Sequence, residues 1–218
     1  EEMAAATGAQ PFASLDAALA TGDFAAVDIM LPHHLHEQAA LAAFAAGKHV
    51  VLEKPMSTTL DSCERILTAA RAARAAHGAV FMVAEQAQYW EDALAVQRLI
   101  RDGVLGEIIT ARAYFGGPAH PLTGPKPWRY YNKFAGGGLT IDGGAHWLRP
   151  LRMWLGEIDE VVATIGHPIK EMEGESLVRA LLRFQSGTVA VFDALHGGAH
   201  AGGGEEFRIT GTLGEVLI

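Results

Sequence analysis

The sequence predicts an α/β chain in two parts: a parallel sheet built from βαβ units, then an α+β region with a predominantly antiparallel open sheet. Two observations carry this. Between residues 26 and 84, short continuous apolar runs alternate with helical segments. From about residue 158 the pattern changes to successive short strand-like runs, two of them separated by Ser186-Gly187, a hairpin signal.

Residues 14 to 20 are helical in pattern. AVDIML (26 to 31) lies between Asp23 and Pro32 and predicts a strand buried on both faces. A helix from about His34 to Ala46 follows and stops at Gly47. HVVLE (49 to 53) is a second such strand. Thr58 with Asp61 three residues on resembles a capping box, opening an Ala/Arg-rich helix that runs to His77. AVFMVA (79 to 84) is a third strand. Strands joined by helices with short connections predict a parallel sheet, half of a nucleotide-binding domain. We place this domain at residues 1–84 and a second domain at 85–218. The second domain is predicted to hold helices at about 92–101 and 140–154. Its strands are predicted near 108–115, 158–165, 177–185, 188–194, 206–210 and 215–218. HGGAHAGGG (196 to 204) is expected to be a flexible connection.

Half of the 218 residues are hydrophobic, enough for a sizeable core. The net charge of −8, from 17 basic and 25 acidic residues spread along the chain, disfavours a nucleic-acid surface, whose affinity comes from phosphate neutralisation. Apolar stretches such as 39–46 are interrupted by Gly47 and Lys48, short of the roughly 20 residues that span a bilayer, so no membrane segment is expected. The opening EEMAAATGAQ has no basic and apolar leader pattern, and the cytoplasm is the default location. The single cysteine, Cys63, excludes an intrachain disulfide and reads as a small, half-buried helix residue.

Three constellations carry chemistry. Glu53-Lys54-Pro55 sits where a parallel strand ends, and ligands of open α/β sheets bind outside those carboxyl ends. The Lys54 ammonium suits a substrate oxygen that develops negative charge; a solvated surface lysine is the plain alternative. GGGLTIDGGAH (136 to 146) places Asp142 and His146 four apart, on one face of a helix if the helix is continuous. Three readings are open there: a capped helix start, a proton-accepting His146 with Asp142 binding the substrate or supporting a charged neighbour, or two ligands of a metal completed elsewhere. Pro32-His33-His34-Leu35-His36 follows another strand end; its histidines invite a metal reading, but no cysteine accompanies them and they need not face one way. Trp128 and Arg129, just before the Gly run, offer an aromatic wall and a charged donor, or a packed surface pair.

Taken together, LPHHLHEQAALAAFAAGKHVVLEKPMS and GGGLTIDGGAHWL resemble the glucose-fructose oxidoreductase/inositol dehydrogenase (Gfo/Idh/MocA) family. Four motifs fall in the family's order: Pro32 to His36, Gly47 to Val50, Glu53 to Pro55, and Gly136 to His146. The resemblance implies a Rossmann domain followed by a substrate domain whose open sheet mediates homo-oligomers. It implies hydride transfer between NAD or NADP and a carbinol carbon of a sugar, cyclitol or related diol. In that reading Lys54 polarises the substrate, His146 exchanges the proton and Asp142 holds the reacting hydroxyl. Pro32, His33, His36, Glu53, Pro55 and Glu85 border the dinucleotide, Trp128 and Arg129 the substrate, and no metal is expected. The alternatives within the resemblance are an NAD-dependent glycosidase and a non-catalytic sensor or assembly protein keeping the fold.

Three departures qualify the resemblance. The family's first strand, Gly-x-Gly-x-x-Gly turn and selector residue do not appear, so the Rossmann domain is expected to be partial and the choice between NAD and NADP is open. Segments after residue 218 are expected to be missing too, and the 218-residue piece alone is expected to bind nicotinamide poorly. His33 replaces the usual Asn, and Arg149 stands where an Asp often follows the histidine.

Overall fold

The computed structural model describes residues 2–118, 127–197 and 205–218. The chain divides into two compact units, Glu1–Ala84 and Glu85–Ile218.

The first unit opens with α1 (Glu2–Thr7) and α2 (Leu15–Thr21), the latter capped by the Ser14 hydroxyl on the Ala17 amide. Its sheet has three parallel strands in the order β1 (Ala26–Ile29), β2 (His49–Glu53), β3 (Phe81–Ala84). A single 3-10 turn at His33–Leu35 leads into α3 (His36–Ala45), and α4 (Leu60–His77) joins β2 to β3. Along α3 the buried positions are His36, Ala39, Ala40, Ala43 and Phe44, the i, i+3, i+4, i+7, i+8 stripe of a helix with one face in a core. Its alanines let the helix lie close to the sheet, while Phe44 meets Phe81 edge-on at 5.4 Å. Ile66, Ala70 and Ala73 of α4 complete this core around Val50 and Leu52.

Two local expectations are corrected here. The strands are not buried on both faces: β2 alternates, with Val50 and Leu52 buried and its other positions intermediate, and Val80 and Met82 are exposed. The helices α3 and α4 pack on each other and share that one buried face. The cap of α4 is Thr59, whose hydroxyl accepts the Ser62 amide at 3.2 Å, not Thr58. Adjacent threonines make the register of this cap illegible from spacing alone.

Glu37 of α3 receives two hydrogen bonds from the Arg65 guanidinium of α4, at 2.5 and 2.9 Å. These bonds, helped by the Ser62 hydroxyl, hold its carboxyl down at about 2 against an ordinary 4.5. A depressed carboxylate stabilises the fold above its unfolded value and loses that contribution as pH falls toward the folded one. The expected result is therefore acid weakening of the α3–α4 pair between about pH 4.5 and about 2. In an NMR titration, Arg65→Ala should return the Glu37 midpoint to the ordinary carboxylate range.

The second unit is a six-stranded sheet in the order β5-β6-β7-β4-β8-β9. The strands are β4 (Ile108–Pro118), β5 (Ile158–Gly166), β6 (Leu177–Phe184), β7 (Val189–Gly197), β8 (Glu205–Gly211) and β9 (Glu215–Leu217). All pairings are antiparallel except β4 with β7. Along β6 the burial alternates residue by residue: Val178, Ala180, Leu182 and Phe184 face a core, Arg179, Leu181 and Arg183 face outward. Helices α5 (Glu91–Arg101) and α8 (Ala145–Leu155) supply the other side of that core through Ala93, Val96, Leu151 and Trp154. The Trp154 indole N–H donates to the Ala93 carbonyl at 2.9 Å, joining the two helices. On the outer face the buried Asp193 carboxylate accepts from Arg179 at 2.9 Å and Arg112 at 3.4 Å.

Residues 196 and 197 of the expected flexible segment belong to β7; the remainder, 198–204, lies outside the described residues. Among the described residues no helix is long and apolar enough to cross a membrane.

Candidate active site

In the first unit the central strand β2 ends at Glu53, and the Lys54-Pro55 turn leaves its carboxyl end. His36 fixes that turn. Its ring is fully buried, with Nε2 2.8 Å from the Leu31 carbonyl and Nδ1 3.0 Å from the Pro55 carbonyl. Two residues past Pro55, the Ser57 hydroxyl shares a buried hydrogen bond of 2.5 Å with that of Ser62. His36 is thus a bracket between the segments that follow β1 and β2. The ring reaches no surface of this unit. His33 is also buried, at 2% exposure, with its ring 5.7 Å from that of His36. Pro32 lies past the end of β1, just before the His33–Leu35 turn, and Glu53 ends β2, its carboxylate accepting the Lys54 amide at 3.2 Å.

In the second unit the helix expected over 140–154 is two helices, α7 (Leu139–Asp142) and α8, preceded by α6 (Asn132–Ala135). The Gly144 amide reaches back five residues to the Leu139 carbonyl at 3.0 Å, a π-type turn between them. Two close approaches require glycine here. A Cβ on Gly138 would fall 2.0 Å from the Glu175 carbonyl oxygen, and one on Gly143 would fall 2.8 Å from the Phe115 ring. The Glu175 carboxylate accepts the Gly138 and Thr140 amides at 3.0 and 2.8 Å, pinning the start of α7.

Because of this break Asp142 and His146 end with different partners. Asp142 Oδ2 accepts from Arg129 Nε at 2.9 Å, and the Arg129 guanidinium lies 4.4 Å over the Trp128 ring. His146, in the first turn of α8, places Nδ1 2.7 Å from Glu85 Oε1. The Trp90 ring lies 6.3 Å from this histidine, and the next residue, Trp147, stacks on Phe115 and Phe207. Arg149 donates twice to Gln88 Oε1, at 3.2 and 2.7 Å.

A cavity of about 490 Å3 opens beside α7, lined by Phe115, Arg129, Tyr130, Asp142, Ile169 and His196 among others. Its volume is in the range of small-molecule sites, ~300–1,000 Å3, and a mostly apolar wall with a few polar groups is the usual composition. Of the residues expected at the site, Asp142 and Arg129 line it; Trp128 instead stacks under Arg129. His196 and Glu175 were missed. His196 hides in a Gly-rich run, although it continues the alternation of β7; nothing local marks Glu175 as the clamp of α7.

A three-stranded parallel sheet followed by a unit with a six-stranded mixed sheet, a Glu85–His146 pair between a turn and a helix, and a cavity lined by Asp142, defines a two-part α/β class of protein. Residues 1–84 match the family model described as an oxidoreductase family with an NAD-binding Rossmann fold, and residues 93–217 match the GFO/IDH/MocA C-terminal domain. The chain belongs to the Gfo/Idh/MocA oxidoreductase family. It is 33% identical over 199 residues to 1,5-anhydro-D-fructose reductase of Ensifer adhaerens, covering 89% of this chain and 57% of that protein. It is 26% identical over 220 residues to levoglucosan dehydrogenase of Pseudarthrobacter phenanthrenivorans, covering 90% of this chain and 55% of that one. The WlbA dehydrogenase of Bordetella pertussis, solved with NADH and UDP-GlcNAcA, superposes with a TM-score of 0.90 at 26% identity, over 100% of this chain and 62% of that chain. The chain spans about half the length of the curated relatives it matches.

Proposed function

We propose that the protein transfers hydride between a nicotinamide dinucleotide and a carbinol carbon of a sugar, cyclitol or related diol. Residues 1–84 form its dinucleotide-binding part and 85–218 its substrate-binding part. The observation that carries the reading is the cavity beside α7, where Asp142 is held by Arg129 one turn before the Glu85-paired His146.

The first unit fits the nicotinamide end of the cofactor. An ammonium and a proline follow the central parallel strand, in a turn bracketed by His36 and Ser57 so that their positions do not depend on a flexible loop. Pro32, Glu53, Lys54 and Pro55 would border it. When bound, the nicotinamide supplies the hydride acceptor or donor. Lys54 donates to the oxygen on the reacting carbon, stabilising the charge that grows as the C–H bond breaks. Asp142 accepts from the substrate hydroxyl and fixes which carbon is presented. His146 takes the hydroxyl proton in oxidation and returns it in reduction. Arg129, locked to Asp142 and stacked on Trp128, sets the direction of that carboxylate and borders the substrate.

The outer face of the six-stranded sheet, with exposed Val162 and Leu181 paired beside the Asp193 charge cluster, is the surface through which we propose homo-oligomers form.

The test is NAD(P)H absorbance during a screen of polyols, anhydro sugars and hexoses with the full-length protein. Lys54→Ala should lower kcat by about 10^2- to 10^3-fold, the scale of losing one donor to a developing oxyanion. Turnover unchanged by this substitution removes Lys54 from the mechanism.

A further inference from the structure

We infer that Glu85 is a positioning residue that sets the tautomer of His146, rather than a contact of the dinucleotide; the inference rests on His146 being the proton-exchanging group.

Both side chains are largely withdrawn from solvent, 18% exposed for His146 and 12% for Glu85, and their contact is 2.7 Å. The Glu85 oxygen that meets the ring is itself fixed, because Oε1 also accepts the Ala87 amide at 2.9 Å, closing the 3-10 turn Gln86–Tyr89. That turn is fastened along α8 at two more places. Gln88 Oε1 takes both hydrogen bonds from Arg149, one turn beyond His146, and Trp90 meets Trp147 edge-on at 6.3 Å. The carboxylate therefore cannot swing away without dismantling a three-point contact between residues 85–90 and the helix.

An ionised carboxylate only accepts, so Nδ1 carries the proton. In the neutral ring Nε2 then holds the lone pair. An imidazole free in water prefers the opposite arrangement, with the proton on Nε2, in which the nitrogen pointing away from Glu85 could only donate. Glu85 inverts that preference and leaves Nε2 as the acceptor. In alcohol oxidation the hydride, carrying two electrons, goes to the nicotinamide and the hydroxyl proton goes to Nε2; the C=O bond forms as the C–H and O–H bonds break. Glu85 takes no proton. It keeps the Nδ1 hydrogen bond throughout and lies against the imidazolium that results, the role an orienting carboxylate plays toward a catalytic histidine elsewhere.

The experiment reads the ring directly. Long-range 1H–15N spectra of the full-length protein, recorded at a pH where the His146 ring is neutral, assign its tautomer without turnover. In the unsubstituted protein the proton is expected on Nδ1. In Glu85→Gln the amide oxygen still accepts, so the Nδ1–H form is retained. In Glu85→Ala the Nε2–H form becomes dominant, and kcat falls by about 10^2-fold or more with KM changed much less. Circular dichroism and the retained tautomer of Glu85→Gln separate this from misfolding. An Nε2–H ring in the unsubstituted protein, or an Nδ1–H ring that survives Glu85→Ala, overturns the inference. So does a tautomer that flips in Glu85→Ala while kcat stays the same. Failure of the functional reading shows elsewhere, as turnover indifferent to His146→Ala.

Discussion

Replacing His146 by alanine in the full-length protein should lower kcat by about 10^2- to 10^4-fold, the contribution of a positioned general base. The loss is expected in kcat and kcat/KM together, because the proton moves only in the transition state. Cofactor affinity, followed by quenching of tryptophan fluorescence, should change far less, since the residues assigned to the nicotinamide lie in the other unit. The side chain is 18% exposed and its neighbours are held by their own bonds, so the fold should tolerate its removal. Turnover equal to that of the unsubstituted protein would show that the proton leaves by another route.

One residue further along the same helix the opposite outcome is expected. Trp147 is 6% exposed and lies between two rings, parallel to Phe115 at 5.4 Å and stacked on Phe207 at 4.6 Å. Phe115 comes from β4 and Phe207 from β8, so the indole joins α8 to the middle of the sheet. Trp147→Ala removes the largest side chain of this cluster and leaves a cavity, which costs about 3–5 kcal/mol in comparable cores. Urea unfolding of the full-length protein, monitored by circular dichroism, should show the loss as an earlier transition. A change below about 1 kcal/mol would mean that the site collapses around the gap. Adjacent positions thus separate chemistry from packing: His146 should cost rate and Trp147 stability.

The elements were legible where a period repeats. The stripe from His36 to Phe44 and the alternation from Val178 to Phe184 each follow from which positions are apolar, and the Ser186-Gly187 turn marks its hairpin. The family followed from four motifs in order. What stayed illegible depends on partners remote in sequence. Asp142-x-x-x-His146 reads as one helix face, but the break at Gly143 answers to the Phe115 ring, which no local pattern reveals. Glu85 and His146 are 61 positions apart. The spacing places Asp142 and His146 on one helix face but does not reveal that each has its own partner, Arg129 for Asp142 and Glu85 for His146. His36 belongs to a motif, but its two carbonyl partners, Leu31 and Pro55, are set by the meeting of two strand ends.

The place of β4 in its sheet bears on how the chain is made. It is the first strand of the second unit to be synthesised, but its two neighbours are β7 and β8, and its partners in β8 follow it by roughly 90 to 100 residues. At ~5–20 residues per second, a ribosome would hold β4 without its full complement of backbone partners for several seconds. Pairings of such long sequence separation also close slowly, because loop entropy is lost before contacts form. One feature shortens the hazard: Arg112 interrupts the apolar run of β4.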